Sequence, residues 1–192
     1  MAKLLFLNHR GVSVQPLVEL VRSLDADVET VEPEAISGPL PASGYDGIIA
    51  SGGYLKSSSR QDTLQRYSAF FGELRSPYLG ICLGMRILGH CHGARFRKTA
   101  PVVGEYQVSL AGFPLCPELS DTTVYQNHRY EVIRPLPGSL EDFTARGSTV
   151  QAVKVVGKEQ YAVQFHPEVG NHPVNVILRN FVSLCSGKSQ NF

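Results

Sequence analysis

Apolar runs and helical periodicities alternate through the first half of the chain. Residues 3–8 (KLLFLN) form a short apolar run, which is typical of a buried strand. Apolar residues then recur at helical spacing at Val14, Leu17, Val18, Val21 and Leu24. Residues 25–31 return to an extended pattern. A strand, a helix and a strand at this spacing predict a βαβ unit and a parallel sheet.

Two further predicted strands run directly into glycine-rich turns. Residues 46–50 (DGIIA) precede Ser51-Gly52-Gly53, and residues 78–81 (YLGI) precede Cys82-Leu83-Gly84. A helical apolar face lies between them, at Leu64, Tyr67, Phe71 and Leu74. Both turns are therefore expected at the carboxyl ends of strands, where open α/β sheets bind their ligands.

The second half of the chain has a different pattern. Residues 102–110 and 122–125 are predicted to be antiparallel strands, and residues 150–156 and 161–165 are predicted to form a hairpin. An amphipathic helix over 174–185 ends the pattern. We predict one α/β domain spanning residues 1–192, with an antiparallel insertion late in the chain.

Composition favours a soluble enzyme. The chain has 192 residues, of which 43% are hydrophobic and 18% charged, with a net charge of +1. This balance argues against a nucleic-acid-binding surface. The four cysteines are scattered, and neither a signal peptide nor a membrane-spanning apolar run is present, so a reduced, cytoplasmic chain is expected.

Gly80-Ile81-Cys82-Leu83-Gly84 is the stretch that most strongly indicates chemistry. It is a G-x-C-x-G pattern after an apolar strand, the cysteine form of a nucleophile elbow. Such a turn places the side chain at a helix N-terminus, where the helix dipole favours a thiolate. Taken alone, the pattern fits a buried structural cysteine in a tight turn equally well.

A second motif supplies partners for a cysteine nucleophile. Residues 161–169 read YAVQFHPEV, so a predicted strand ends at His166 and Glu168 follows two positions later. A cysteine nucleophile needs a base, and the base needs an acceptor that fixes its tautomer. The His-Pro-Glu sequence alone would fit a surface turn, but together with the elbow it indicates a catalytic triad.

The two motifs, in this order along the chain, resemble those of the class I glutamine amidotransferases. The resemblance implies a flavodoxin-like, open, mostly parallel sheet with helices on both faces and a small antiparallel insertion. It also implies that Cys82 attacks the carboxamide of L-glutamine, with His166 as general acid and base and Glu168 as its orienting partner. Ammonia is released, and water hydrolyses the γ-glutamyl thioester.

The resemblance also indicates the oxyanion hole. The matching backbone N–H groups are those of Gly53 and Leu83, and fixed donors there would stabilise the tetrahedral intermediate. Interpreting Ser51-Gly52-Gly53 as a phosphate loop is weaker, because the segment lacks the Gly-Lys-Ser/Thr sequence of a P-loop and is not a G-x-G-x-x-G. Tyr54 stands where the family usually has proline.

Several segments are similar to the glutaminase subunit or domain of guanosine monophosphate synthetase. They are residues 104–110 (GEYQVSL), 124–132 (VYQNHRYEV) and 176–185 (VILRNFVSLC). This similarity implies that the backbone around Asn127, His128 and Arg129 contacts the α-groups of glutamine. It further implies a separate synthetase that accepts the ammonia. We expect neither a metal nor an organic cofactor.

Arg86 departs from the family pattern. The family has C-x-G-x-Q after the nucleophile, and that glutamine helps to hold the substrate, whereas arginine is charged and only donates hydrogen bonds. Arg86 turns outward, binds a carboxylate of a different γ-glutamyl compound, or weakens glutamine binding until a partner completes the site. Two alternative functions follow: a γ-glutamyl amide or peptide hydrolase, and a non-catalytic regulatory module.

Three features are assigned structural or peripheral roles. Residues 89–93 (GHCHG) place adjacent side chains on different helix faces, so they do not form a metal site. His9 and His172 are predicted to lie at the surface or to cap helices. Residues 54–60 (YLKSSSR) are predicted to form a loop beside the site that could contact a partner.

Overall fold

The chain is described by a computed structural model that covers residues 1–56, 60–147 and 149–187. Residues 57–59, in the middle of the predicted loop at 54–60, therefore lie outside the described residues. The strands are β1 (Ala2–His9), β2 (Ala26–Val31), β3 (Gly47–Gly53), β4 (Tyr78–Ile81), β5 (Arg95–Ser109), β6 (Asp121–Ile133), β7 (Leu140–Asp142), β8 (Ala152–Val155) and β9 (Gln160–Val163). The helices are α1 (Val14–Ser23), α2 (Arg60–Glu73), α3 (Leu83–Cys91) and α4 (Val176–Cys185), with 3-10 turns at Pro33–Ala35 and Pro173–Asn175.

The main sheet has the strand order β2-β1-β3-β4-β9-β8-β7. The pairs from β2 through β9 are parallel, and β8 and β7 continue the sheet in antiparallel pairs. The first five strands reproduce the flavodoxin-like order, with β9 in the fifth position. The predicted fold class is confirmed, and so is the antiparallel hairpin that became β8 and β9.

Alternation along the buried strands divides the core between two faces of the sheet. In β1, Leu4 and Phe6 pack in one apolar cluster with α1 and α4, whereas Leu5 and Leu7 pack in a second cluster with α2 and α3. Successive side chains of a strand point to opposite faces, so a strand covered on both faces is apolar throughout. The continuous run KLLFLN has this origin.

The antiparallel insertion is a two-stranded ribbon, β5 with β6, outside the main sheet. Both strands are longer than predicted, because the pattern of β5 is mostly exposed and carries little apolar alternation. The ribbon is joined to the main sheet near the site: the His166 N–H donates to the Tyr125 carbonyl oxygen at 2.8 Å. No helix among the described residues is both long and apolar enough to cross a bilayer.

The prediction that His9 and His172 lie at the surface or cap helices holds for one of the two residues. His172 occupies the N-cap of the 3-10 turn Pro173–Asn175, and its N–H donates to Asn175 Oδ1 at 2.7 Å. His9 is buried at the end of β1, so the prediction for it was wrong. Its Nδ1–H donates to the Ser51 carbonyl oxygen at 3.0 Å, and its Nε2 accepts from the Tyr67 hydroxyl at 2.7 Å. These long-range partners are not visible in the local pattern.

Candidate active site

Cys82 lies in a strained turn between β4 and α3. Its φ of 50° and ψ of −94° are unusual for a residue with a side chain, and strain of this kind is concentrated at functional sites. The flanking glycines make the turn possible. A Cβ at Gly80 would lie 2.6 Å from the Gly84 carbonyl carbon, and a Cβ at Gly84 would lie 2.5 Å from the Ala50 carbonyl oxygen. The G-x-C-x-G spacing is therefore a steric requirement of this elbow.

His166 and Glu168 follow β9, the neighbour of β4 in the sheet. The His166 Nδ1–H donates to Glu168 Oε1 at 2.7 Å, and both side chains are almost completely buried. His166 Nε2 is buried and makes no hydrogen bond to any residue in the described ranges. With Nδ1 committed to the carboxylate, Nε2 is the ring nitrogen left for proton transfer.

The surroundings of His166 favour its charged form. Burial lowers the pKa of the imidazole, but the Cys82 sulfur and the Glu168 carboxylate together outweigh burial and raise the pKa to about 10. An imidazolium beside a sulfur can hold that sulfur as a thiolate and later supply a proton to a leaving group.

The other three cysteines have environments that disfavour the reactive thiolate. Burial raises the pKa of Cys91, and it raises the pKa of both Cys116 and Cys185 to about 12. All three side chains are therefore thiols at neutral pH. Cys82 is distinguished from them by its position at the elbow and by the neighbouring imidazole.

Gly52 and Gly53 end β3 beside the nucleophile. A Cβ at Gly52 would lie 2.6 Å from His166 Cε1 and 3.5 Å from Cys82 Cβ, so the bare backbone leaves the space that the imidazole occupies. Gly53 has a φ of 142°, and a Cβ there would lie 2.0 Å from the His9 carbonyl oxygen. The sequence motif thus brings this strand end against His166 and Cys82.

A cavity of about 360 Å³ opens from the oxyanion-hole candidates Gly53 and Leu83. Arg86, one turn after Cys82 on α3, lies on its wall with Cζ 4.4 Å from the centre of the Tyr130 ring. The remaining wall is mostly apolar, formed by Tyr54, Leu55, Leu64, Ile87 and Phe96 with His90. Arg86 therefore lines a cavity whose wall also includes Leu83, the residue after Cys82.

Residues 127–129 of β6 pass the nucleophile in an alternating orientation. The Cys82 Sγ lies 3.6 Å from the Asn127 carbonyl oxygen. The His128 side chain is buried with Nε2 2.6 Å from Gln126 Oε1, and the Arg129 side chain is exposed. Burial lowers the pKa of His128, assisted by His166 and Arg86 and opposed by Glu131. His128 is therefore neutral beside a charged His166.

Sequence reasoning missed two buried residues at this site. Ser13 Oγ donates to Glu168 Oε1 at 2.6 Å, and Gln164 Nε2 lies 3.9 Å from Cys82 Sγ. Gln164 lies just before the His-Pro-Glu motif, so its position was a usable signal. Ser13 lies 155 residues from Glu168, and nothing in its local sequence indicates the contact.

Comparison with known proteins agrees with this geometry. The family model for glutamine amidotransferase class-I matches residues 7–184. The chain belongs to the class-I glutamine amidotransferases. The resemblance drawn from the two sequence motifs is thereby confirmed, and the chain is a glutamine amidotransferase.

Two of the most similar relatives are glutamine-hydrolyzing GMP synthase subunits. The one from Thermoplasma acidophilum is 30% identical, over 97% of this chain and 94% of its own length. The one from Saccharolobus solfataricus is 28% identical, over 88% of this chain and 91% of its own length. A solved structure of a GMP synthase subunit from Thermoplasma acidophilum superposes with a TM-score of 0.85 at 28% identity, covering 97% of this chain and 95% of that one.

A more distant structure supports the fold alone. The glutaminase domain of Trypanosoma brucei CTPS, solved with bound acivicin, has a TM-score of 0.77 at 16% identity and covers 99% of this chain and 96% of its own. The flavodoxin-like core is therefore retained where most side chains differ.

Proposed function

We propose that this chain hydrolyses L-glutamine to glutamate and ammonia through a γ-glutamyl thioester on Cys82, acting as one glutaminase domain over residues 1–192. The observation that carries the proposal is the Cys82 elbow beside a buried His166–Glu168 pair. A regulatory module without catalysis would not need a strained cysteine next to an imidazolium whose pKa is raised to about 10.

The first half-reaction forms the thioester. The Cys82 thiolate attacks the carboxamide carbon of glutamine, and the carbonyl oxygen becomes an oxyanion that the N–H groups of Gly53 and Leu83 stabilise. His166 gives its Nε2 proton to the amide nitrogen, the C–N bond breaks, and ammonia leaves. Glu168 keeps the Nδ1 proton in place, so Nε2 is the atom that exchanges protons.

The second half-reaction restores the enzyme. Neutral His166 takes a proton from water at Nε2, and the hydroxide attacks the thioester carbon. The same N–H donors stabilise the second tetrahedral intermediate. The C–S bond then breaks, which releases glutamate and leaves the Cys82 thiolate beside the His166 imidazolium.

We assign the α-amino and α-carboxylate groups of the substrate to the cavity lined by Arg86 and to the neighbouring backbone of Asn127, His128 and Arg129. Arg86 lies one helical turn from the nucleophile, on the cavity that also contains Gly53 and Leu83. A guanidinium is a strong ligand for a carboxylate, so we assign the α-carboxylate to Arg86. A carboxylate ligand replaces the amide ligand usual in the family.

The ammonia is proposed to pass to a separate synthetase. Several relatives are named as one subunit of GMP synthase, which supports an assembly of two different chains. A longer relative, the glutamine-hydrolyzing GMP synthase of Caldanaerobacter subterraneus, is matched over 93% of this chain and only 35% of its own length. Four free cysteines fit a reducing compartment, so we propose that the reaction is cytoplasmic.

One observation favours a second candidate, hydrolysis of a larger γ-glutamyl amide or peptide. The cavity wall includes Leu64 and Phe96, apolar side chains that the polar α-groups of glutamine would not need. At about 360 Å³ it falls within the range of sites for small organic ligands.

A substrate panel tests the proposal and separates the two candidates. Ammonia release from L-glutamine, lost in Cys82→Ala and retained in Cys91→Ala, is the expected result for the purified chain with or without its synthetase. Cleavage of γ-glutamyl peptides without ammonia release from glutamine would establish the second candidate. No turnover of either substrate and no alkylation of Cys82 by a chloroketone analogue of glutamine would reject both.

A further inference from the structure

Ser13 occupies a helix-capping position without acting as a cap. It is the N-cap residue of α1, yet its side chain makes no capping hydrogen bond to the first turn. Serine is among the residues that most often cap a helix in this way. The hydroxyl of Ser13 is directed away from the helix and into the catalytic site.

The hydroxyl contacts both members of the acid–base pair. Ser13 Oγ donates to Glu168 Oε1 at 2.6 Å and lies 3.3 Å from His166 Nδ1. The Nδ1–H of His166 donates to the same carboxylate oxygen at 2.7 Å. Ser13, His166 and Glu168 are all buried, so water does not compete for these bonds.

The distribution of these bonds over the carboxylate is unequal. Glu168 Oε1 accepts from both Ser13 and His166, whereas Oε2 is buried and has no hydrogen-bond partner within the described part of the chain. The terminal torsion of a glutamate is broad and nearly two-fold. Two donors converge on one oxygen and hold it against His166 Nδ1 more firmly than one donor would.

We infer that Ser13 is a positioning residue, whose hydroxyl holds Glu168 Oε1 on His166 Nδ1 and thereby keeps the imidazole oriented for proton transfer at Nε2. The inference rests on the proposed function. Its chemical role differs from that of the triad, because Ser13 acts through Glu168 and neither contacts the substrate nor moves a proton. The loop between β1 and α1 thus contributes to a site that the motifs place on β4 and β9.

The test is a double-mutant cycle between Ser13 and Glu168. Ser13→Ala should lower kcat about 10- to 100-fold, the range for losing a hydrogen bond to a charged group, with KM within about 2-fold of wild type. In a Glu168→Gln background the same substitution should change kcat by less than about 2-fold. Rates are measured both as ammonia release and as alkylation of Cys82 by the chloroketone analogue.

Two further variants keep the result interpretable. Ser13→Thr retains the hydroxyl and should retain kcat within about 2-fold. Ser23→Ala is the matched control, because Ser23 is an exposed serine at the other end of α1, and its hydroxyl donates to the Leu20 carbonyl oxygen. Thermal unfolding of each variant reports any loss of helix stability separately from kcat.

The outcomes separate this inference from the proposed function. Unchanged kcat in Ser13→Ala, an equal loss in the Glu168→Gln background, or an equal loss in Ser13→Thr would overturn the positioning role while leaving glutaminase activity established. A wild-type chain with neither ammonia release nor Cys82 alkylation would overturn the proposed function itself.

Discussion

The guanidinium carbon of Arg86 lies 4.4 Å from the centre of the Tyr130 ring, on the wall of the cavity that Gly53 and Leu83 also line. Arg86 comes from α3 and Tyr130 from β6, so the pair connects the elbow helix to the ribbon. A cation over a phenol ring contributes about 0.5–2 kcal/mol, depending on how far it is desolvated. The ring orients the side chain that replaces the family glutamine.

Removing the charge of Arg86 should weaken substrate binding. Arg86→Met is expected to raise KM for L-glutamine roughly 10- to 100-fold with kcat little changed, because a hydrogen-bonded charge contributes about 1.5–3 kcal/mol. This increase in KM should be absent with 4-aminobutanamide as substrate, because that compound keeps the carboxamide and lacks the α-carboxylate. Steady-state kinetics with both substrates measure this.

Controls for Arg86 come from the same chain. Arg75→Met should leave KM unchanged. Arg75 lies before β4 and Cys82 lies after it, so the two residues are at opposite ends of that strand. Tyr130→Phe keeps the ring and should preserve KM, whereas Tyr130→Leu should raise it several-fold, consistent with about 0.5–2 kcal/mol for the ring contact. A lower KM for glutamine in Arg86→Met would show that the arginine obstructs glutamine and would favour the larger γ-glutamyl substrates.

A methyl group at Gly52 should disable catalysis without unfolding the protein. The added Cβ would lie 2.6 Å from His166 Cε1, so the imidazole must move. A displacement of about 1 Å in a catalytic group can lower the rate roughly 100-fold. Gly52→Ala is therefore expected to lose at least about 100-fold in kcat, as measured by ammonia release.

Gly72→Ala is the matched control for Gly52. Gly72 lies in α2, and a Cβ there meets no atom within 4 Å. Alanine is favoured over glycine in helices by up to about 1 kcal/mol, so this variant should be as stable as wild type or more so, with full activity. Full activity in Gly52→Ala would contradict the placement of His166 against the β3 strand end.

The catalytic motifs were predictable from sequence because each is a local steric or hydrogen-bonding unit. The two elbow glycines lie within two positions of Cys82, and Glu168 lies two positions after His166. Contacts over long separations were not predictable: Ser13 reaches Glu168 across 155 positions, and His9 meets Tyr67 across 58. The long exposed ribbon β5–β6 was underestimated, because a strand pair away from the core has no regular apolar alternation to reveal its ends.

His166 should titrate far above an ordinary histidine. Its folded-state pKa of about 10 lies above the unfolded value of 6.5, so the stability it contributes is complete below pH 6.5 and is lost as pH rises through about 10. The groups facing it are Cys82, Glu168 and the neutral His128. NMR titration of the imidazole should give a lower pKa in Cys82→Ala and in Glu168→Gln.

The pH dependence of kcat/KM should follow the ionisation of His166. Because His166 must carry the proton given to ammonia, kcat/KM is expected to fall as pH rises through about 10. In Glu168→Gln the fall should move to lower pH, since a neutral amide does not stabilise the imidazolium. If kcat/KM falls at the same alkaline pH in Glu168→Gln as in wild type, Glu168 does not stabilise the charged form of His166.

His9 should make the fold sensitive to acid. Burial lowers its pKa to about 4, below the unfolded value of 6.5, so its contribution to stability is present above pH 6.5 and is lost as pH falls toward 4. The free energy of unfolding should fall by up to about 1.4 kcal/mol per pH unit from this group. Denaturant unfolding between pH 7 and 4.5 measures the slope.

Substitution of His9 tests whether this residue causes the fall in the free energy of unfolding at acid pH. His9→Gln should flatten the slope, because the group that charges on unfolding is gone, whereas His90→Gln, at an exposed position, should leave it as in wild type. Equal slopes in wild type and His9→Gln would mean that His9 is not the buried neutral histidine that joins β1 to Ser51 and Tyr67.

The central claim, covalent catalysis by Cys82, is tested most directly by trapping the acyl-enzyme. His166→Gln lacks the base for hydrolysis, so the thioester that it forms from a γ-glutamyl p-nitrophenyl ester, whose leaving group needs no proton, should accumulate. After acid quench, mass spectrometry of peptides is expected to place a γ-glutamyl group on Cys82, and Cys82→Ala should carry none. Ammonia release by the wild-type chain with no such adduct, or ammonia release that persists in Cys82→Ala, would contradict the account.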